Sequence, residues 1–510
     1  MRKTGAFFFL IGLLLSCRLS AQSTVATTRF GKVKGYAQDG IKVFKGIPFA
    51  APPVGALRWQ PPQPPAPWKG IKACTAFSAS PMQPPPVPFM MWTEEFIAPP
   101  TPLSEDCLYL NVWTSSLDAK ARLPVFVWIY GGGFSSGSAA CAIYDGAAYA
   151  KEGVVFVSLN YRVGVLGFMA HPELSRASAS GVSGNYGLLD QRAALQWIQE
   201  NIASFGGDPD NVTIAGQSAG SMSVNSLVAS SLTKGLFQKA IAQSGGLLSG
   251  RFTASLAEGE KIGTQFQKMA GASSLEELRA INADSLVRIS MKMGALRFGP
   301  LLDGYVLPQN LHDAFSNGSF NDVPFIGGWV TGDGALFPSA ELEPEQFIRQ
   351  MQETYGNSSK RLLDLLPHAT TSEVAAAQQQ LNLLAFAVSG MYRWASFSKK
   401  PAYIYEYSHV PPDKPGFPNY GAFHTSEVPY ALKNLDRWNR SWQTPDRSLE
   451  NDMSSYWLNF IRKGDPNGNG LPPWKPFTIP DGSINELGDR IESKKEGYTE
   501  VLQLLKPFLK

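Results

Sequence analysis

The chain has 510 residues, of which 44% are hydrophobic and 17% charged, with a formal net charge of +3. That composition describes a soluble globular protein and excludes a disordered, collagen-like or membrane-embedded one. The length would allow three domains, but no low-complexity linker and no fixed-period repeat divides the chain, so a single domain over residues 22–510 is expected.

The first residues stand apart. Arg2 and Lys3 precede an apolar run from Ala6 to Leu15, and Leu19-Ser20-Ala21 comes before Gln22. This is the pattern of a secretory signal peptide over residues 1–21, too short to span a bilayer. Leu14-Leu15-Ser16-Cys17 also fits a bacterial lipoprotein box, which would instead anchor the mature chain through Cys17. Either way the protein is expected to be exported. Cleavage after Ala21 removes Arg2, Lys3 and Arg18, which takes the 45 basic residues to 42 against 42 acidic ones. A mature chain without net basicity offers no electrostatic case for binding nucleic acid or an anionic membrane surface.

From Val25 to Pro48 short β-type runs alternate with glycines and read as a small antiparallel meander. Residues 52–103 are dense in proline, which predicts an extended surface loop. The pattern then changes. "YLNVWT", "PVFVWIY", "VVFVSLNYRV", "NVTIAG", "KAIAQSG", "VPFIGGWV" and "AYIYEYS" are short, continuous apolar runs, the signature of strands buried on both faces of a mostly parallel sheet. Between them "LLDQRAALQWIQENIASFGG" reads as a helix that ends at its glycines, with Leu189, Ala193, Leu195, Trp197, Ile198 and Ile202 on one face. An α/β fold with helices covering the sheet follows. Residues 253–320 and 338–398 look mainly helical and suit cap insertions.

The glycine triplet in "IYGGGF" directly follows one of these strands. Consecutive glycines let main-chain N–H groups face a ligand closely, so Gly132 and Gly133 are candidate oxyanion donors. Two G-x-S-x-G sequences compete for the role of nucleophile elbow. Gly133-Phe134-Ser135-Ser136-Gly137 follows a strand but leads into loop composition. "GQSAG", around Ser218, lies between the strand Asn211–Ala215 and a helical spacing of Met222, Val224 and Leu227. Strand, tight turn and helix is the setting such an elbow needs, and it adds the N–H of Ala219 to the oxyanion donors.

A serine hydroxyl needs a base, and a third group to orient that base. Of the five histidines, His171 precedes the elbow, His312 and His368 lie among leucines, and His409 ends a strand ahead of Pro411 and should sit on a strand edge. His424, in a glycine-bearing loop after the last predicted strand, is left as the base. Asp333 follows a buried-strand pattern and is the candidate acid, while Asp303 in "LLDGYVLP" reads as a turn residue. Cys74, Cys107 and Cys141 show no metal-ligand spacing, His-Glu-x-x-His is absent, and there is no phosphate-binding glycine loop, so neither metal nor cofactor is expected.

Taken together, "FKGIPFAAPPVGALRW", "SEDCLYLNVWT", "WIYGGGF", "VSLNYRVGVLGF", "GNYGLLDQRAALQWIQENIASFGGDPDNVTIAGQSAG", "AIAQSGG", "GAFHTSEVPY" and "YWLNFIRKGDPNG" resemble the type-B carboxylesterases, the cholinesterase-like branch of the α/β-hydrolases. The resemblance runs over nearly the whole mature chain. It implies Ser218 as nucleophile, His424 as general base and acid, Asp333 as orienting acid, and Gly132, Gly133 and Ala219 as the oxyanion hole. The implied activity is hydrolysis of a carboxylic ester, on a small molecule or linked to a saccharide.

Three departures are visible. The family usually carries Glu where Asp333 stands. Gln217 replaces the usual Glu before the nucleophile, which removes a buried negative charge that would favour cationic esters. The family's partner for Cys107 should lie near Pro81, where there is no cysteine, and Cys74 is the nearest substitute. Two other readings keep the fold: a non-catalytic binding or adhesion protein, and an esterase for feruloyl or acetyl groups on polysaccharide. The sequence sets no oligomeric state.

Overall fold

The computed structural model describes residues 24–508 apart from 101, 250–252, 295–297 and 480, so the expected leader lies outside the described residues. Eleven strands form one sheet. Its middle is seven parallel strands, in the order Val155–Leu159, Leu123–Ile129, Gly207–Gln217, Lys239–Gln243, Phe325–Val330, Ala402–Tyr407 and Ser483–Leu487. Antiparallel strands extend both sides: Tyr109–Thr114, Ile41–Pro48 and Tyr36–Gln38 on one, Ile491–Lys495 on the other. Every residue of Val155–Leu159, Lys239–Gln243, Phe325–Val330 and Ala402–Tyr407 is buried, which is why those runs are apolar without alternation.

The helix Tyr186–Asn201 buries Leu195, Trp197 and Ile198 and continues as a 3-10 turn through Ile202, with Gly206 at φ 75° closing it. It packs against Ala219–Ala229, the helix that follows the elbow, and a second long helix, Thr444–Lys463, lies on strands Gly207–Gln217 and Leu123–Ile129. Among the described residues, 256–291, 311–316 and 344–397 are mainly helical, as expected. Near the N-terminus, Val25–Thr28 and Gly31–Lys34 pair antiparallel and take Ile71–Ala73 as a parallel third strand.

Two expectations need correction. Ala402–Tyr407 is not the last strand, because Ser483–Leu487 and Ile491–Lys495 continue the sheet beyond it. Cys74, Cys107 and Cys141 are all free and buried, so no Cys74–Cys107 bond forms. Cys74 instead lies against Gly46, its thiol 3.8 Å from that carbonyl, while Cys107 lies beside Pro81 and Arg162.

Candidate active site

Parallel strands deliver their carboxyl ends to one edge of the sheet, and the chemistry-bearing residues collect there. Strand Gly207–Gln217 stops at Gln217, and helix Ala219–Ala229 starts two residues later. Ser218 between them has φ 60° and ψ −124°, held by its N–H donating to Gln243 O (2.9 Å) and its carbonyl accepting from Met222 N (2.9 Å). A non-glycine residue in that conformation costs about 1–3 kcal/mol and persists only where the surroundings over-determine it. The flanking glycines are required by packing. A Cβ on Gly216 would lie 2.5 Å from Gly220 main chain, and one on Gly220 would strike the carbonyl of Ile129. A Cβ on Gly131 would fall 2.9 Å from that of Ser218, so the glycine triplet is also what lets the neighbouring loop approach the serine.

Within the triplet, Gly132 and Gly133 have φ 105° and 61°. Their turn uses the Gly132 carbonyl, which accepts from the N–H of Ser135 and of Ser136 at 3.1 Å each. Among the described residues no acceptor takes the N–H of Gly132 or Gly133. Ala219, the first residue of its helix, has an N–H with no partner inside the helix, at the end where the helix dipole is positive. The competing Ser135 lies in a turn that leads into loop rather than directly into a helix, its hydroxyl 3.2 Å from Gly132 O.

Asp333 sits three residues past strand Phe325–Val330, at the start of a 3-10 turn, and His424 lies in the loop after Ala402–Tyr407. The two are brought together by main chain as well as side chain: Gly332 N–H donates to Ala422 O (3.0 Å), and a Cβ on Gly332 would collide with that same carbonyl. His424 Nδ1 is 2.6 Å from Asp333 Oδ1, and Asp333 Oδ2 accepts the N–H of Val330 at 3.0 Å. Both side chains are buried, at 2% and 0% exposure. A carboxylate that accepts from Nδ1–H fixes the tautomer whose Nε2 carries a lone pair, the form a general base requires.

Gln217 places its amide nitrogen 3.2 Å from His424 Nε2 and 3.4 Å from Nδ1. An atom in the ring plane that close to both nitrogens would overlap Cε1, so the amide lies over the face of the imidazole. The ring therefore stands beside the elbow. Ser218 Oγ is engaged by no described residue; the serine–base hydrogen bond of such sites commonly closes only with substrate bound.

The remaining histidines are occupied elsewhere. His171 caps helix Pro172–Ala177 and bonds Gln267 at 2.8 Å, and His368 bonds Leu366 O. His312 stays near the surface beside Asp313. His409 is buried rather than on an open strand edge, because it bridges Asp446 (2.8 Å) and Asp489 (2.7 Å) beneath helix Thr444–Lys463. Asp303 is a turn residue, its Oδ1 accepting the N–H of Tyr305, Val306 and Leu307.

Trp329 is a core residue whose indole N–H donates to Glu406, Phe134 packs on Phe168, and Phe423 packs on Phe96 and Trp438. The rings next to the imidazole are Phe386 (5.5 Å) and Trp92 (6.2 Å). Sequence reasoning also missed Glu427, three residues after His424 and fully buried. Its Oε1 lies near Ser244 Oγ (3.4 Å) and Gln243 Nε2 (3.5 Å), and Oε2 has no partner among the described residues. Burial first, and the Asp333 carboxylate second, push this carboxyl up to about 8. Asp333, and not Glu427, is the acid bonded to the imidazole. The "HTSE" spacing was the one available sign of Glu427.

A largely parallel sheet with a strained serine turn at its carboxyl edge is that of an α/β-hydrolase. Residues 22–504 match the sequence model of the carboxylesterase family. The chain is similar to fumonisin B1 esterase of Sphingopyxis macrogoltabida, 35% identical over 96% of this chain and 91% of that protein. It is also similar to para-nitrobenzyl esterase of Bacillus subtilis, at 34% over 87% and 90% respectively. A solved carboxylesterase of Geobacillus stearothermophilus superposes with a TM-score of 0.82 at 31% identity, covering 94% of this chain and 99% of that one. The protein belongs to the carboxylesterase family and is a carboxylic-ester hydrolase. Among the described residues no helix is long and apolar enough to cross a membrane.

Proposed function

We propose that Ser218, His424 and Asp333 carry out ester hydrolysis through an acyl-enzyme, with the N–H groups of Gly132, Gly133 and Ala219 holding the oxyanion. Ser218 Oγ attacks the ester carbonyl while His424 Nε2 takes its proton. Asp333 keeps the imidazole oriented and offsets its developing charge. The tetrahedral oxygen, newly anionic, turns toward the N–H cradle, where one donor is worth about 3–4 kcal/mol. His424 then hands the proton to the departing alcohol. Water, deprotonated by the same nitrogen, releases the acid.

The observation that supports this reading most is the 2.6 Å contact between His424 and Asp333 beside the strained serine turn. The substrate we infer is an uncharged ester. A neutral amide, Gln217, occupies the position over the imidazole, and the adjacent rings, Phe386 and Trp92, are apolar. The names of the relatives span esters as different as fumonisin B1 and a para-nitrobenzyl compound, so they do not choose among substrates. Incubation with a short-chain p-nitrophenyl ester and a serine-directed phosphonate tests the mechanism. Turnover with a single phosphonyl adduct on Ser218 is expected; turnover with the adduct on another serine would reassign the nucleophile.

We further infer export, from the basic start, apolar run and small-residue end of residues 1–21, ahead of the family match that begins at residue 22. Mass spectrometry of protein recovered outside the cytoplasm should find Gln22 as its first residue, whereas a lipid-modified Cys17 would establish the anchored alternative.

A further inference from the structure

Besides Asp333, a second line of hydrogen bonds reaches the imidazole, and it begins at Trp92, 333 residues before Thr425 in the chain. Trp92 belongs to the proline-rich stretch that folds back over the site. Its ring meets that of His424 edge-on at 90°, and its indole N–H donates to Thr425 Oγ1 at 3.2 Å. Thr425 is buried and has φ 85°, a left-handed conformation that is unfavourable for a β-branched residue, so the backbone is held where it delivers this hydroxyl. Thr425 Oγ1 lies 3.3 Å from Gln217 Oε1.

A hydroxyl has a single hydrogen, and accepting a bond from the indole both points that hydrogen away from Trp92 and makes it a better donor. It is therefore given to Gln217 Oε1. With its oxygen engaged, the Gln217 amide turns its nitrogen toward His424, at the 3.2 and 3.4 Å already described.

Resting on the proposed roles of Ser218 and His424, we propose that Trp92 is a positioning residue: through the Thr425 hydroxyl it fixes the amide nitrogen of Gln217, not its oxygen, over the general base. The consequence is electrostatic. Amide hydrogens directed at the ring oppose a positive imidazolium, whereas an amide oxygen there would favour it, so the relay keeps the base unprotonated further into acid. The other titratable groups facing His424 are Asp333, from the turn after strand Phe325–Val330, and Glu427 on its own loop. Both are the same in every variant below, and Phe386 on the cap side carries no charge.

Trp92→Phe keeps a ring against His424 and removes the indole N–H, and Thr425→Val removes the hydroxyl. Each is expected to move the acidic limb of the kcat/KM profile for a p-nitrophenyl ester upward by about one pH unit. The double variant should move no further than Thr425→Val alone, and Thr425→Ser should restore the wild-type profile. NMR of the five histidines, labelled with carbon-13 at Cε1, reads the His424 titration directly and needs no turnover. A Trp92→Phe protein whose His424 titration superimposes on the wild type overturns the relay, as does an upward shift in the double variant beyond Thr425→Val. Absence of wild-type ester turnover would sink the hydrolytic reading instead, while the NMR comparison would still decide the relay.

Discussion

Ser218 combines two demands that conflict in an ordinary residue: a hydroxyl, and a backbone at φ 60° that only glycine adopts without strain. Ser218→Ala keeps the strain and loses the proposed nucleophile, so turnover should fall by at least about 10⁵-fold with little change in melting temperature. Ser218→Gly loses both and should melt higher than Ser218→Ala, a difference of about 1 kcal/mol, measurable by calorimetry. Glu427 is the second residue whose surroundings set its chemistry. Its carboxyl is raised to about 8, against about 4.3 in an unfolded chain. Between those values the folded protein holds a proton that the unfolded chain has released, so this contribution to stability is complete below about pH 4 and lost as pH rises through about 8. Glu427→Gln mimics the protonated acid and should flatten the fall in melting temperature from about pH 5 to about pH 8. An unchanged slope would mean that Glu427 is ionised at neutral pH.

At the scale of elements, the site is a set of strand endings. Gln217 pairs with Gln243, and Gln243 with Gly328, so the elbow and the strand leading to Asp333 finish at nearly the same height. Asp333 and Asp303 both follow strand residues and precede glycine, yet one faces an imidazole and the other ties a turn. Asp333→Asn should lower turnover by about 10⁴-fold with the fold intact, because the tautomer is lost. Asp303→Asn should leave kcat nearly unchanged and lower stability by about 1–3 kcal/mol, since its amide would oppose the amide nitrogen that Asn185 donates to Oδ2. The opposite pattern in a paired kinetic and denaturation measurement would exchange their roles. Asp333 reaches the ring despite being one methylene shorter than the usual Glu, and main-chain bonding of Gly332 to Ala422 is what draws the two loops close.

Across the whole molecule the core is continuous, and among the described residues no thiol pair crosslinks it. Burial pushes Cys74 up to about 11 and Cys141 up to about 12. A reducing agent should therefore leave the melting temperature unchanged, and a drop of several degrees would reveal a disulfide. The buried strands could be read from the amino-acid string because a strand covered on both faces needs an unbroken apolar run, a property of consecutive residues. Ser483–Leu487 and Ile491–Lys495 escaped notice because they are the last two strands on one side of the sheet and carry polar side chains that no run betrays. Ser218 and its glycines form a local signal, since the turn they make spans five residues. The bond between residues 333 and 424, the burial of Glu427, the three unpaired thiols and the line from Trp92 to Gln217 are different in kind. They depend on distances between segments far apart in the polymer, and those distances exist only once the sheet has stacked its strand endings along one edge.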